Sequence, residues 1–234
     1  MKPILAFLLS LGMGQSLWAA ESPDEILKKA DEIRAPSNSY RMEVTVESSA
    51  DKSLFRFELN IGGKDASLIR TLEPAREVGK NFLMLEEDMW AYIPNIKRSL
   101  RVALNQKLTG QASNGDISRM RWYGDYNAIL ESEDAQSWQL LLSAKKQGLT
   151  YDKIRVWVNK SNYRPEKGEY LSTEAKPLKF VQFTEYKEIS GALRPTRILI
   201  ENAHKKDDFS VLEIKTMKQT QFPASFFTQN NLSP

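Results

Sequence analysis

The residues able to do chemistry are few. The one histidine, His204, precedes Lys205-Lys206-Asp207-Asp208, and with no cysteine and no second histidine in the 234 residues a zinc or transition-metal site is not expected. A nucleophile-histidine-acid triad would need the same His204, and no G-x-S-x-G elbow accompanies it, so hydrolysis of that kind is not expected either. Asp116, Asp125, Glu86, Glu87 and Asp88 are the carboxylates to consider as a catalytic pair, since a glycosidase needs two of them flanking a sugar-sized cleft. Turn and helix-cap duty explains each at lower cost. Past the first 20 residues the glycines punctuate turns, and none forms a phosphate-cradling strand-to-helix motif. The reading is a non-enzymatic chain without cofactor or metal.

Charge narrows the partners. Lys97, Arg98 and Arg101, with Arg119 and Arg121 beside Trp122 and Tyr123, suit a basic-aromatic rim for phospholipid headgroups or an acidic partner, although most such clusters are a wetted edge. The formal net charge is +3. Removing residues 1–20 takes away Lys2 and no acid, which leaves 32 basic against 30 acidic residues and argues against nucleic acid.

What remains is apolar surplus. From Leu68 to Val102 apolar residues fill both faces: Phe82 and Met84 oppose Leu83 and Leu85, then Met89, Ala91 and Ile93 oppose Trp90 and Tyr92. A sheet with this stretch is expected to pack on both sides. Phe55, Phe57 and Leu59, then Leu83, Leu85, Trp90 and Tyr92, then Trp138 and Leu140 are the candidates to line a concave face that takes up acyl chains. Each buried methylene is worth about 0.8 kcal/mol, so such a face binds lipid without any catalytic group. An ordinary core filled by covering helices uses the same residues.

Residues 1–20 read as a secretory signal peptide: Lys2 opens it, Pro3 to Leu11 is apolar, and Leu17-Trp18-Ala19-Ala20 ends in small residues. Without cysteine the exported chain can be neither disulfide-stapled nor acylated at a lipobox, so a periplasmic protein that is not itself a lipoprotein is expected.

Ser22-Pro23-Asp24-Glu25 signals a helix start with a capping box, and Ile26, Leu27, Ala30 and Ile33 give it an apolar stripe ending at Ala35-Pro36. Tyr40 to Glu47 and Phe55 to Ile61 alternate as a long hairpin, and Ala66 to Leu72 leads into the two-faced hairpin. Asn105 to Glu133 reads as a loop, a short helix capped by Asp116, and a second helix or turn near Asp125 to Leu130. Strand pattern then resumes at Trp138 and continues to Thr216, with a turn over Asn159 to Gly168. The fold class is mainly β: an antiparallel barrel or curved sheet of about ten or eleven strands, one domain over residues 21–234, with a few covering helices.

Leu72-x-Pro74, Gly79 to Met84, the acidic tip Glu86 to Asp88, Trp90-x-Tyr92-x-Pro94, and Lys97, Arg98 and Arg101 resemble the family of LolA/LolB-like outer-membrane lipoprotein-sorting proteins. The likeness extends into Gly110 to Tyr126 and the closing FPASFFTQNNL. It implies a half-barrel with helices across its mouth. It further implies a periplasmic carrier shielding the acyl chains of a lipoprotein or lipid, an inner-membrane transporter that hands over the cargo, and an outer-membrane acceptor. The alternatives are a scaffold module of the same fold that holds a protein partner and, third, a periplasmic hydrolase.

Overall fold

A computed structural model describes residues 21–233 apart from 37, 64 and 120; the expected signal peptide lies outside them. Helix α1 (Pro23–Arg34) begins the described chain, and a first meander follows: β1 (Tyr40–Ser48), β2 (Leu54–Ile61), β3 (Ala66–Glu73), β4 (Phe82–Leu85), β5 (Asp88–Ile93) and β6 (Arg98–Val102). A connection then carries the small hairpin β7 (Lys107–Thr109) and β8 (Ala112–Ser113) and the short helix α2 (Asn114–Ser118). The second meander is β9 (Tyr126–Glu133), β10 (Ser137–Ala144), β11 (Lys153–Asn159), β12 (Pro165–Leu171), β13 (Pro177–Ile189), β14 (Ala192–Asn202) and β15 (Phe209–Gln219).

The two meanders join where β15 pairs with β1, giving one antiparallel sheet of 13 strands that runs from β6 at one edge to β9 at the other. It is not closed into a barrel. Thirteen strands exceed the expected count partly because Tyr126–Glu133, read as helix or turn, is strand β9, and Pro165–Leu171, half of it read as a turn, is β12. Asp116 also takes a different place: the N-cap of α2 is Ser113, and Asp116, three residues on, completes the capping box by accepting from the Ser113 N–H at 2.8 Å.

Strand alternation separates two apolar layers. On the concave face Met42, Val44, Phe57, Leu59, Ile69, Phe82, Met84, Leu140, Val156 and Ile198 belong to one large buried cluster beneath α1. On the convex face Leu68 and Leu83 meet Phe227 and Leu232 of the C-terminal segment, with Leu85, Trp90, Tyr92, Phe222 and Phe226 packed around them. The two-faced stretch is therefore covered on both sides, as its composition requires.

Candidate functional site

The concave face is covered by α1, which packs against β9 and β14, and by the connection, whose α2 packs against β2 and β3 and buries Ile117. Its start is built as the sequence suggests: the Ser22 hydroxyl accepts from the Glu25 N–H at 3.2 Å and Pro23 occupies the first turn. The reciprocal half of the capping box is not formed. Ile26, Leu27 and Ala30 are wholly buried, but the last turn departs from the apolar stripe, because Asp31 and Arg34 take the inner positions and Ile33 is only half-buried.

This buried pair fastens the helix. The Asp31 carboxylate accepts from Arg34 at 2.9 Å and from the backbone N–H groups of Trp122 and Tyr123 at 2.8 and 2.9 Å. Loss of water pushes the Asp31 carboxyl up to about 6, against the opposing pull of Arg34 and the two N–H groups. The Arg34 guanidinium lies 3.7 Å from the centre of the Trp122 ring, which meets Phe183 edge-on. From β14, Arg194 donates to the carbonyls of Glu32 and Ile33 at 2.8 and 3.0 Å, satisfying acceptors that a helix end leaves open. Burial lowers the pKa of Arg194.

The segment that receives Asp31 is itself held by charge. Arg119 reaches Asp125 at 2.6 and 2.8 Å and also the Glu86 carbonyl, while Arg121 reaches Asp125 at 3.0 Å and Asp65 at 3.0 Å. Burial raises the Asp125 carboxyl, but hydrogen bonds from the two arginines outweigh it and hold it below the usual range. A cavity of about 110 Å³ lies beside this latch, lined by Asp31, Ala35, Tyr40, Ile61, Met84 and Tyr123. A smaller cavity of about 30 Å³ lies deeper, between Arg34, Trp122, Tyr126 and Tyr170.

A second polar cluster ties the connection to the sheet. Lys179 donates to the Gln111 carbonyl at 2.6 Å, the Ser113 hydroxyl at 2.8 Å and the Tyr151 hydroxyl at 2.9 Å, and Tyr151 in turn donates to Asp116 at 2.9 Å. Burial lowers the pKa of Lys179. A cavity of about 390 Å³ opens beside it, lined in part by Lys107, Leu149, Tyr151, Leu171 and Lys179. The proton donors of Lys179 are all matched within the chain, so the cluster acts as a fastening. The acids considered as a catalytic pair do not meet: Asp125 pairs with two arginines, Asp116 with Tyr151, Glu87 with Lys146 and Asp88 with Arg101. His204 stands exposed in a turn, its backbone N–H donating to Asn202.

The proposed lining divides between the faces. Phe57, Leu59 and Leu140 are buried in the concave cluster, with Phe55 and Trp138 packed at its margin. Leu83, Leu85, Trp90 and Tyr92 lie on the convex face instead, under the C-terminal phenylalanines. The physical reason is register: Ile69 pairs with Phe82 and Phe82 with Ala91, so the even positions of β4 continue the concave row and the odd ones face away. The basic rim is likewise divided. Lys97, Arg98 and Arg101 are exposed at the β5–β6 end, whereas Arg119 and Trp122 are buried in the latch and Arg121 is largely withdrawn into it, since each has an internal partner. Asp31, Arg34 and Arg194 escaped the sequence reading. Their signal was position: Asp31 and Arg34 interrupt an apolar helical stripe, and Arg194 shares strand parity with Ile198 and Ile200.

A family model described only as an uncharacterized protein matches residues 63–234. Comparison with curated proteins gives no match. Among solved structures the chain is similar to a LolA superfamily protein from Nitrosomonas europaea, at 37% identity and a TM-score of 0.85 over 91% of this chain and 100% of that one. A DUF1329 family protein from Desulfovibrio piger shares the fold at 20% identity and TM-score 0.74, covering 91% of this chain and 100% of that one. So does a domain from Vibrio parahaemolyticus described as an outer-membrane lipoprotein-sorting protein, at 21% identity and TM-score 0.71, with 90% and 97% covered. With an open antiparallel sheet under a helical cover and that identity over nine-tenths of its length, the chain belongs to the LolA superfamily.

Proposed function

We propose that this protein is a periplasmic carrier that shields the acyl chains of a lipoprotein or lipid on its concave face while they cross towards the outer membrane. In this reading residues 1–20 are a cleaved signal peptide and residues 21–234 form one half-barrel unit. An inner-membrane transporter loads it and an outer-membrane acceptor unloads it. The observation that carries the proposal is the cover of the concave face: a helix of 12 residues beside the connection that carries α2, held to that connection and to β14 at its last turn by buried polar contacts. In the described state α1 occupies the place of cargo, so loading requires it to move aside.

The magnitudes favour such an exchange. Releasing Ile26 and Leu27 costs about 1.5–3 kcal/mol each, whereas an acyl chain returns about 0.8 kcal/mol per methylene, so roughly eight methylenes offset their exposure. Cargo then selects the open state by its differential affinity for it. Internal partners on Asp116 and Asp125 support a non-catalytic role. A module that holds a protein partner on the same fold is the second reading, favoured by the unpaired strand edges. Mass spectrometry of lipid extracted from protein purified out of its native periplasm separates the two. A carrier yields acyl lipid near one equivalent, and lipid-free protein bound to a polypeptide overturns the proposal in favour of the second reading.

A further inference from the structure

We infer that the protein docks on an anionic membrane surface through one end of its first meander, where three neighbouring turns present exposed aliphatic side chains among basic residues. Strands β1, β3 and β5 all run towards this end, so the turn after each emerges there: residues 49–53, 74–81 and 94–97. Two strand spacings separate one turn from the next, about 10 Å. Leu54, directly after the first turn, is 48% exposed, Val78 in the second 52% and Ile96 in the third 53%.

The same end is basic. These turns, with Arg98 directly after the third, hold Lys52, Arg76, Lys80, Lys97 and Arg98 against two acids, Asp51 and Glu77. Glu77 is shared by Arg76 and Lys80 at 3.8 Å each, while Lys52, Lys97 and Arg98 make no ion pair among the described residues. The excess stops at the adjoining turn between β14 and β15, where Lys205 and Lys206 are balanced by Asp207 and Asp208, and the opposite end of the meander turns through the acidic Glu86 and Glu87. A protein partner needs a continuous patch of about 800 Å² per side with an apolar centre. Three single aliphatic side chains on separate turns, with lysine and arginine between them, provide none. Each can instead sink between lipid headgroups while the cations beside it meet anionic phosphates. This surface is separate from the concave face, and its docking does not depend on what that face carries.

Co-sedimentation with vesicles tests the inference. The purified protein should bind phosphatidylcholine vesicles that contain phosphatidylglycerol, bind pure phosphatidylcholine far more weakly, and be released by added salt. Lys97→Glu/Arg98→Glu should weaken binding about 25-fold or more, at about fivefold for each basic residue lost. Val78→Asp/Ile96→Asp should weaken it as well, both variants being checked for native circular dichroism. Lys187→Glu/Lys218→Glu makes the same change in net charge at the far ends of β13 and β15 and should bind like wild type. Lys97→Glu/Arg98→Glu should also keep whatever acyl lipid co-purifies with wild type, so the docking surface and the carrier reading fail separately. No binding to the anionic vesicles, equal binding to pure phosphatidylcholine, or equal losses in the two charge-reversed variants each overturns the inference.

Discussion

The sheet carries two apolar layers, the concave one covered by α1 with the mid-chain connection and the convex one by the C-terminal segment, and the covers are fastened differently. On the concave side α1 inserts Ile26, Leu27 and Ala30, but its last turn is secured by buried charge: Asp31 on two backbone N–H groups and Arg34, and Arg194 on two carbonyls. On the convex side the C-terminal segment is secured by rings. Phe222, Phe226 and Phe227 pack with centroids 4.8 to 5.5 Å apart, and Asn81 adds a hydrogen bond to the Leu232 carbonyl at 2.8 Å. Phe227 lies so close to Gly62 that a Cβ there would come within 2.4 Å of the ring. Apolar packing tolerates small displacements, whereas buried charges held by directional hydrogen bonds permit few intermediate positions. The ring-packed C-terminal segment suits a permanent cover, and the charge-fastened α1 a cover that is either seated or released.

The largest effects should separate the faces themselves. Phe57→Ala, in the concave core, should cost about 3–5 kcal/mol in chemical denaturation, while Trp90→Ala on the convex face should cost less than half of that. Equal losses would erase the distinction. With cargo, Phe57→Glu should abolish lipid uptake and Leu85→Glu should leave it intact, a contrast that lipid co-purification measures directly. Deleting residues 222–234 should expose Leu68 and Leu83, raising binding of an apolar dye and promoting aggregation, with uptake on the concave face retained.

Smaller effects should concern only the latch. Arg194→Met leaves two helix-end carbonyls without a donor at a cost of about 1–3 kcal/mol, visible as faster amide exchange in α1 and unchanged exchange at the C-terminal end. The pH dependence has a definite sign. Buried Asp31 titrates near 6 and a released one near the ordinary 3.8, so between these values the seated helix holds the extra proton. Seating is favoured below that window, weakens as pH rises through it, and levels off above about 6. Asp31→Asn should remove this slope from a plot of denaturation midpoint against pH; an unchanged slope would place its origin in another group.

The hairpin β1–β2, the helix start at Ser22 and the two-faced character of β4 and β5 were legible because alternation and capping are local. The connection between Asn105 and Asp125 was legible as a cover but not as a latch, since Asp31 and Trp122 meet only in the folded chain. Strand β9 was misread because Asn127 to Glu133 does not alternate cleanly, and a register shift opposite Gln139 and Leu140 breaks its parity. In β12, Pro165 and Gly168 look like a turn; Gly168 is a place where a Cβ would sit 3.2 Å from the Arg155 carbonyl, so the glycine there serves a crowded strand. The lining was split because Leu68 and Ile69 are both apolar, so β3 does not reveal which of its rows continues into Phe82.

The seam between β1 and β15 has a consequence for how the molecule is made. Tyr40 pairs with Gln219 and Ser48 with Ser210, so the central junction of the sheet links segments from opposite ends of the described chain. Each meander can zip up from neighbouring hairpins as it emerges, but the halves unite only when the final strand arrives. Contacts of such long sequence separation slow folding. A chain released from its amino end onward would stand as two incomplete leaves, open along this line, until β15 was free to pair with β1.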